Sequence, residues 1–146
     1  MANPVEIRER IRPGKLESLM KIARILADDQ STCLRKQVAC LAVLHPSLDQ
    51  IVSIGVNGNE RGGPNICDSP MDSGGCGCLH AEQNCLTKLR TGEPVILICT
   101  HSPCVMCAKS ITIPGNVRAI YYGMAFRDPR GLEILTAANI EAHILH

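Results

Sequence analysis

Between Leu16 and Ala27 the apolar residues Leu16, Leu19, Met20, Ala23, Leu26 and Ala27 recur every three or four positions, the spacing of one helix face. The period then changes. Val38–Leu44 is an unbroken apolar run, Ile51–Val56 is a second, and the turn-rich HPSLDQ lies between them. The pair reads as two strands of an antiparallel hairpin. Residues 57–78, NGNERGGPNICDSPMDSGGCGC, are dense in Gly, Pro, Asn, Asp and Ser and read as a loop. It is longer than an ordinary connection, a length that usually goes with function or disorder.

After the loop the pattern alternates. A helix is predicted from about Leu79 to Arg90, a strand over Val95–Thr100, a helix from Pro103 to about Thr112, and a strand over Val117–Tyr122. A helix over Gly131–Ala138 and a strand over Ile140–Ile144 close the chain. Ser102 reads as an N-cap and Pro103 as the first helical residue. Strand–helix alternation implies parallel strands joined by crossover helices. The prediction is an α/β fold, a mixed five-stranded sheet with helices on both faces, in a single domain over residues 1–146. Residues 1–13 read as a loose N-terminal arm.

Composition narrows the class of partner. Lys and Arg number 15 against 14 Asp and Glu, and they are spread along the chain. That leaves no electrostatic footprint for a long nucleic acid or an anionic membrane. One Phe, two Tyr and no Trp give no platform for stacking several bases. No apolar run reaches transmembrane length, and the charged, Pro-interrupted start does not read as a signal peptide, so a cytoplasmic location is expected. Nine cysteines in a reducing compartment point to metal before disulfides.

Two segments concentrate the chemistry: His80-Ala81-Glu82 and Pro103-Cys104-Val105-Met106-Cys107, each opening a predicted helix. Cys104 and Cys107 share a helix face and can grip one metal, with His80 as a third ligand. A tetrahedral Zn2+ held by three residues keeps its fourth position open to water, as catalysis requires. Glu82 is not needed as a ligand. Its natural task is to carry a proton from the attacking water to a ring nitrogen and then to departing ammonia. A lone Cys-x-x-Cys is more often a structural or redox motif, and a lone His-x-Glu carries little. In combination they match the signature of zinc-dependent nucleobase deaminases.

At this level of detail the sequence resembles the deoxycytidylate (dCMP) deaminases of the zinc-dependent cytidine deaminase superfamily, in particular their bacterial and phage type. The resemblance covers nearly the whole chain: STCLRKQVACLAV, SIGVNGNERGGPNICD, HAEQN, THSPCVMCAKSI and FRDPRGLEILTAANIEA. It implies a three-layer α/β/α sandwich, hydrolysis of dCMP to dUMP and ammonia, and a homo-oligomer. It assigns Asn57 to the sugar, the backbone N–H of Ala81 to the base, and Ser102 to a further substrate contact. For the phosphate it points to Arg61 in the loop, with Arg35 second. The chain departs from the family at Val56 and at Phe126, where Tyr is usual, at Pro114, and before His80, where an Arg is often found.

The remaining cysteines suggest a second zinc. Cys104 and Cys107 belong to the first metal, while Cys40, Cys85 and Cys99 fall in apolar strands or on the His80 helix and read as buried hydrophobes. Cys33, Cys67, Cys76 and Cys78 are left, the four ligands of a closed structural site. Bacterial and phage members of the family that the chain resembles can carry such a zinc. Two rival readings stand beside a dCMP deaminase. PCVMCA also resembles the adenosine deaminases of transfer RNA, and a non-catalytic zinc module would share the ligands. Against the second stands Glu82, which a purely structural zinc does not need.

Overall fold

The structure, a computed structural model, describes residues 11–67 and 76–145. Residues 1–10 of the expected arm and residues 68–75 of the long loop lie outside the described residues. The elements are α1 (Lys15–Gln30), β1 (Ala39–Leu44), β2 (Ile51–Val56), α2 (Ala81–Lys88), β3 (Val95–His101), α3 (Val105–Thr112), β4 (Val117–Met124), α4 (Arg130–Ala137) and β5 (Glu141–Ile144).

They form one mixed five-stranded sheet in the order β2-β1-β3-β4-β5. The hairpin β1–β2 is antiparallel, and so is β1–β3. The crossover pairs β3–β4 and β4–β5 are parallel. Helix α1 buries Leu16, Leu19, Met20, Ala23 and Ala27 against Leu41, Val43, Ile96 and Ile98 on one face of the sheet. Helices α2, α3 and α4 bury Cys85, Ile111 and Leu135 against Cys40, Leu97 and Cys99 on the other. Both faces of β1 and β3 are covered, which is why these strands read as continuous apolar runs and not as alternating ones. Each large aliphatic side chain sealed here contributes about 1.5–3 kcal/mol. No described helix is long and apolar enough to cross a membrane.

Small residues seat α2. A Cβ on Gly55 would lie 2.1 Å from the Ala81 carbonyl oxygen and 2.5 Å from the Cys85 nitrogen, so only glycine lets β2 approach the helix this closely. Beside it the Ser53 hydroxyl donates to the Cys85 carbonyl at 2.7 Å, and the Asn84 amide donates to the Val56 carbonyl at 2.7 Å.

Two helix starts differ from the sequence expectation. Helix α2 begins at Ala81, because Leu79 is held extended by reciprocal backbone bonds with Gly58 (2.7 and 3.2 Å). Helix α3 begins at Val105 with Cys104 as its N-cap, so Ser102 and Pro103 lie outside it. Ser102 is unavailable for capping, since its Oγ accepts the Phe126 N–H at 2.6 Å and its N–H donates to the Met124 carbonyl at 2.9 Å.

Candidate active site

The starts of α2 and α3 meet, with His80 beside Cys104 and Cys107. His80 is the N-cap of α2, in an extended conformation, and its N–H is held by the Gln83 side chain at 2.9 Å. Its Nδ1 lies 3.2 Å from Cys107 Sγ and 3.6 Å from Cys104 Sγ. All three ligand atoms fall within 4.8 Å of one another. Bond lengths of about 2.3 Å for Zn–S and about 2.05 Å for Zn–N give a tetrahedral N···S edge of about 3.5 Å. The donor set therefore fits zinc in size and in type.

Glu82, in the first turn of α2, is only 5% exposed. Burial pushes its carboxyl above the ordinary range, against opposing hydrogen bonds from its own backbone and from Cys107. The Cys107 thiol is pushed up as well, by burial first and then by the charges of Glu82 and Cys104. Two thiolates and a carboxylate repel at this range, and a divalent cation among them reverses the sign of the interaction. Unpaired N–H groups of two helix starts add partial positive charge.

The structure gathers a second, separate cysteine cluster. The Sγ atoms of Cys33, Cys67, Cys76 and Cys78 lie within 4.8 Å of one another, and Cys33 Sγ is 3.7 Å from Cys76 Sγ. The S···S edge of a tetrahedral zinc site is about 3.75 Å. Burial alone would raise the Cys33 thiol. Hydrogen bonds from the backbone N–H groups of Lys36 and Arg35, and from Cys76 and Cys78, outweigh it and bring the thiol below its ordinary value. The chain is thus wrapped around the Cys33 sulfur as it would be around a thiolate. Cys78, by contrast, is pushed up, by burial first and then by Cys33, Cys67 and Cys76. Cys40, Cys85 and Cys99 are fully buried, with the Cys40 and Cys99 sulfurs 3.4 Å apart.

A cavity of about 480 Å3 is lined both by Cys33, Cys76 and Cys78 of the second cluster and by His80, Glu82 and Cys104. Asn57, Ala81, Ser102 and Arg35 also line it. Ala81 is the first helical residue, so its N–H has no intrahelical partner. Asn57 is nearly sealed: its Oδ1 accepts from Ser31 and from Val38 N–H, and its Nδ2 donates to the Lys36 carbonyl. One Nδ2 hydrogen is left by these contacts. Arg61 does not join this group. It is exposed on the loop and outside the cavity lining. The structure also brings Lys36, His101, Phe126 and Arg127 to the cavity. Sequence reasoning did not assign these four to the site, although all lie inside segments that carry the family resemblance. Gly55 was missed too, although a glycine inside an apolar strand signals a close backbone approach.

A mixed sheet that presents one histidine and two cysteines around a buried glutamate, at the starts of two helices, defines a zinc-dependent deaminase class of site. The chain matches the family model for the cytidine and deoxycytidylate deaminase zinc-binding region over residues 13–124, and it belongs to that family. Deoxycytidylate deaminase of Schizosaccharomyces pombe is 31% identical over 146 residues, covering 90% of this chain and 44% of the yeast protein. That of Saccharomyces cerevisiae is 31% identical over 143 residues, covering 89% and 44%. The chain thus spans less than half the length of these relatives. Among solved structures, the dCMP deaminase of cyanophage S-TIM5 in complex with dCMP and dUMP superposes with a TM-score of 0.80. It is 31% identical, over 92% of this chain and 98% of the phage chain.

Proposed function

We propose that the chain hydrolyses dCMP to dUMP and ammonia. The observation that carries this reading is the buried Glu82 carboxyl beside the His80–Cys104–Cys107 trio, on the wall of a cavity of nucleotide size. The similarity to the phage enzyme that binds dCMP and dUMP supports the choice of nucleotide. His80, Cys104 and Cys107 would hold zinc, which supplies the Lewis acidity that makes water nucleophilic near neutral pH.

The remaining work falls to the chain. Water adds to C4 of cytosine, the exocyclic C–N bond breaks, and ammonia leaves. Glu82 would receive the first proton lost by water and pass it to ring N3, then take the proton of the new C4 hydroxyl and deliver it to the departing amine as C4=O forms. Its raised proton affinity, caused by burial, suits a group that must hold a proton between steps. The Ala81 N–H orients the base, the remaining Nδ2 hydrogen of Asn57 meets the sugar, and Ser102 holds the wall that includes Phe126. Cys33, Cys67, Cys76 and Cys78 would hold a second, structural zinc that orders the loop beside the substrate.

The deciding experiment is ammonia release from a panel of cytosine, adenine and guanine nucleosides and nucleotides, with an anticodon stem-loop included. Turnover of dCMP above the others is expected. Turnover of the stem-loop alone would replace this reading with a transfer-RNA deaminase, and no ammonia from any substrate would leave a zinc module.

A further inference from the structure

The connection between α1 and β1 is wound around the side chain of Asn57. At its start the Thr32 N–H donates to the Asn57 carbonyl at 3.4 Å. At its end the Asn57 N–H donates to the Val38 carbonyl at 3.2 Å, and the Val38 N–H donates to Oδ1 at 2.9 Å. Nδ2 donates to the Lys36 carbonyl, and Oδ1 accepts a further bond from the Ser31 hydroxyl. The Val38 N–H can only donate and the Lys36 carbonyl can only accept, so the amide cannot turn over without losing both bonds.

Cys33 stands in the middle of the same connection and is bonded to two of the same residues. Its N–H donates to Ser31 Oγ at 3.3 Å. Its sulfur accepts the Lys36 N–H. A shift of Cys33 therefore reaches both ends of the Asn57 amide, through Ser31 at Oδ1 and through Lys36 at Nδ2. The Lys36 link is backbone. Among the described bonds between Asn57 and residues 31–38, the Ser31 hydroxyl is the only side chain of that segment to take part. Ser31 is half-buried and does not line the cavity, so it acts on a ligand there through Asn57 and not by contact.

We propose that Ser31 is a positioning residue that relays the state of the cysteine quartet, Cys33, Cys67, Cys76 and Cys78, to the Asn57 amide. With a metal on the quartet the Cys33 turn is fixed, Ser31 Oγ holds Oδ1, and the remaining Nδ2 hydrogen is offered in one orientation. Metal at the quartet and nucleotide in the cavity then favour one another, each by the same factor. The proposal rests on the reading of the cavity as a nucleotide site and of the quartet as a zinc site. It makes the second zinc a control point for binding as well as a clip for the loop.

The test pairs calorimetric titration with dUMP and release of zinc to a chelator, for the wild type, Ser31→Ala, Ser31→Thr, Cys67→Ser and the double variant. The quartet zinc is the one that Cys67→Ser lacks. In the wild type, saturating dUMP should tighten it about fivefold, an ordinary coupling between two sites. Ser31→Ala should keep two zinc per chain and bind dUMP about fivefold more weakly, the scale of one lost hydrogen bond. Its quartet zinc should be held equally well with and without dUMP. Ser31→Thr keeps the hydroxyl and should match the wild type within about twofold. Adding Ser31→Ala to Cys67→Ser should cost less than about twofold further, because the relay has already lost its input. Unaltered dUMP binding in Ser31→Ala, loss of its zinc, or losses that multiply in the double variant would overturn the proposal. A wild type with one zinc and four open thiols would overturn it as well. No ammonia from dCMP, with quartet zinc that still responds to dUMP in the wild type and not in Ser31→Ala, refutes the deaminase reading and upholds the relay.

Discussion

His80, Cys104 and Cys107 stand at the starts of helices that are packed on the sheet, whereas Cys33, Cys67, Cys76 and Cys78 stand on loops. Around the trio, the Gln83 side chain, Gly55 and the buried face of α3 fix where each ligand points before any metal arrives. Around the quartet, among the described residues, the comparable support is the turn at Cys33, where backbone N–H groups face the sulfur. The difference is one of direction. In the first cluster the fold organises the metal site, and in the second a metal would organise the fold.

The contrast can be broken at several points. Glu82→Gln should lower turnover of dCMP by about 10^2–10^4-fold, the usual contribution of a positioned acid–base group, while the trio keeps its zinc. Kinetics together with metal analysis checks both halves, and near-normal turnover would refute the role of Glu82. Gly55→Ala attacks the support of the trio. Its Cβ must displace the Ala81 and Cys85 backbone, which should cost about 1–3 kcal/mol of stability, seen in chemical denaturation, with zinc lost from the trio. Unchanged stability would mean that β2 does not seat α2 as described.

Cys67→Ser attacks the quartet. Zinc should fall from two per chain towards one, proteolysis in the 57–78 loop should quicken, and KM should rise about threefold to tenfold with a smaller change in kcat. A protein that holds one zinc from the outset, with all four thiols open to alkylation, would exclude the second site. The smallest effect belongs to Arg61→Ala. Its exposed position outside the cavity should leave kcat/KM for dCMP within about twofold, the ordinary range for a surface substitution. A larger loss would support a phosphate contact at Arg61.

What the sequence could tell follows from how each feature is encoded. The α1 face, the hairpin and the parallel crossovers are written in periodicity, and the structure has all three. The trio is written in local spacing, at positions i and i+3 on one helix and at the N-terminus of another. The N-cap of α3 was not legible, because Ser102 answers to Phe126, 24 residues further on, and not to the helix beside it. Lys36 and His101 were not legible for a related reason. A charge in a loop or an imidazole at the end of a strand has no pattern of its own, and only the folded cavity brings the two together. Arg61 was no easier to place, since a loop arginine can face a cavity or water with the same sequence around it, and among the described residues it lies exposed outside the cavity lining.

Gly131 links two parts of the chain that the family signature separates. A Cβ there would lie 2.3 Å from the Pro103 carbonyl oxygen and 3.2 Å from the Cys104 carbonyl. The turn that carries a metal ligand is therefore pressed from behind by α4, while the family match ends at residue 124. A chain shortened to Met124 would keep every residue of the zinc signature and lose the backstop for one of its cysteines. The inherited motif is shorter than the mechanical unit. Any exchange of zinc segments between relatives must carry α4 along with them.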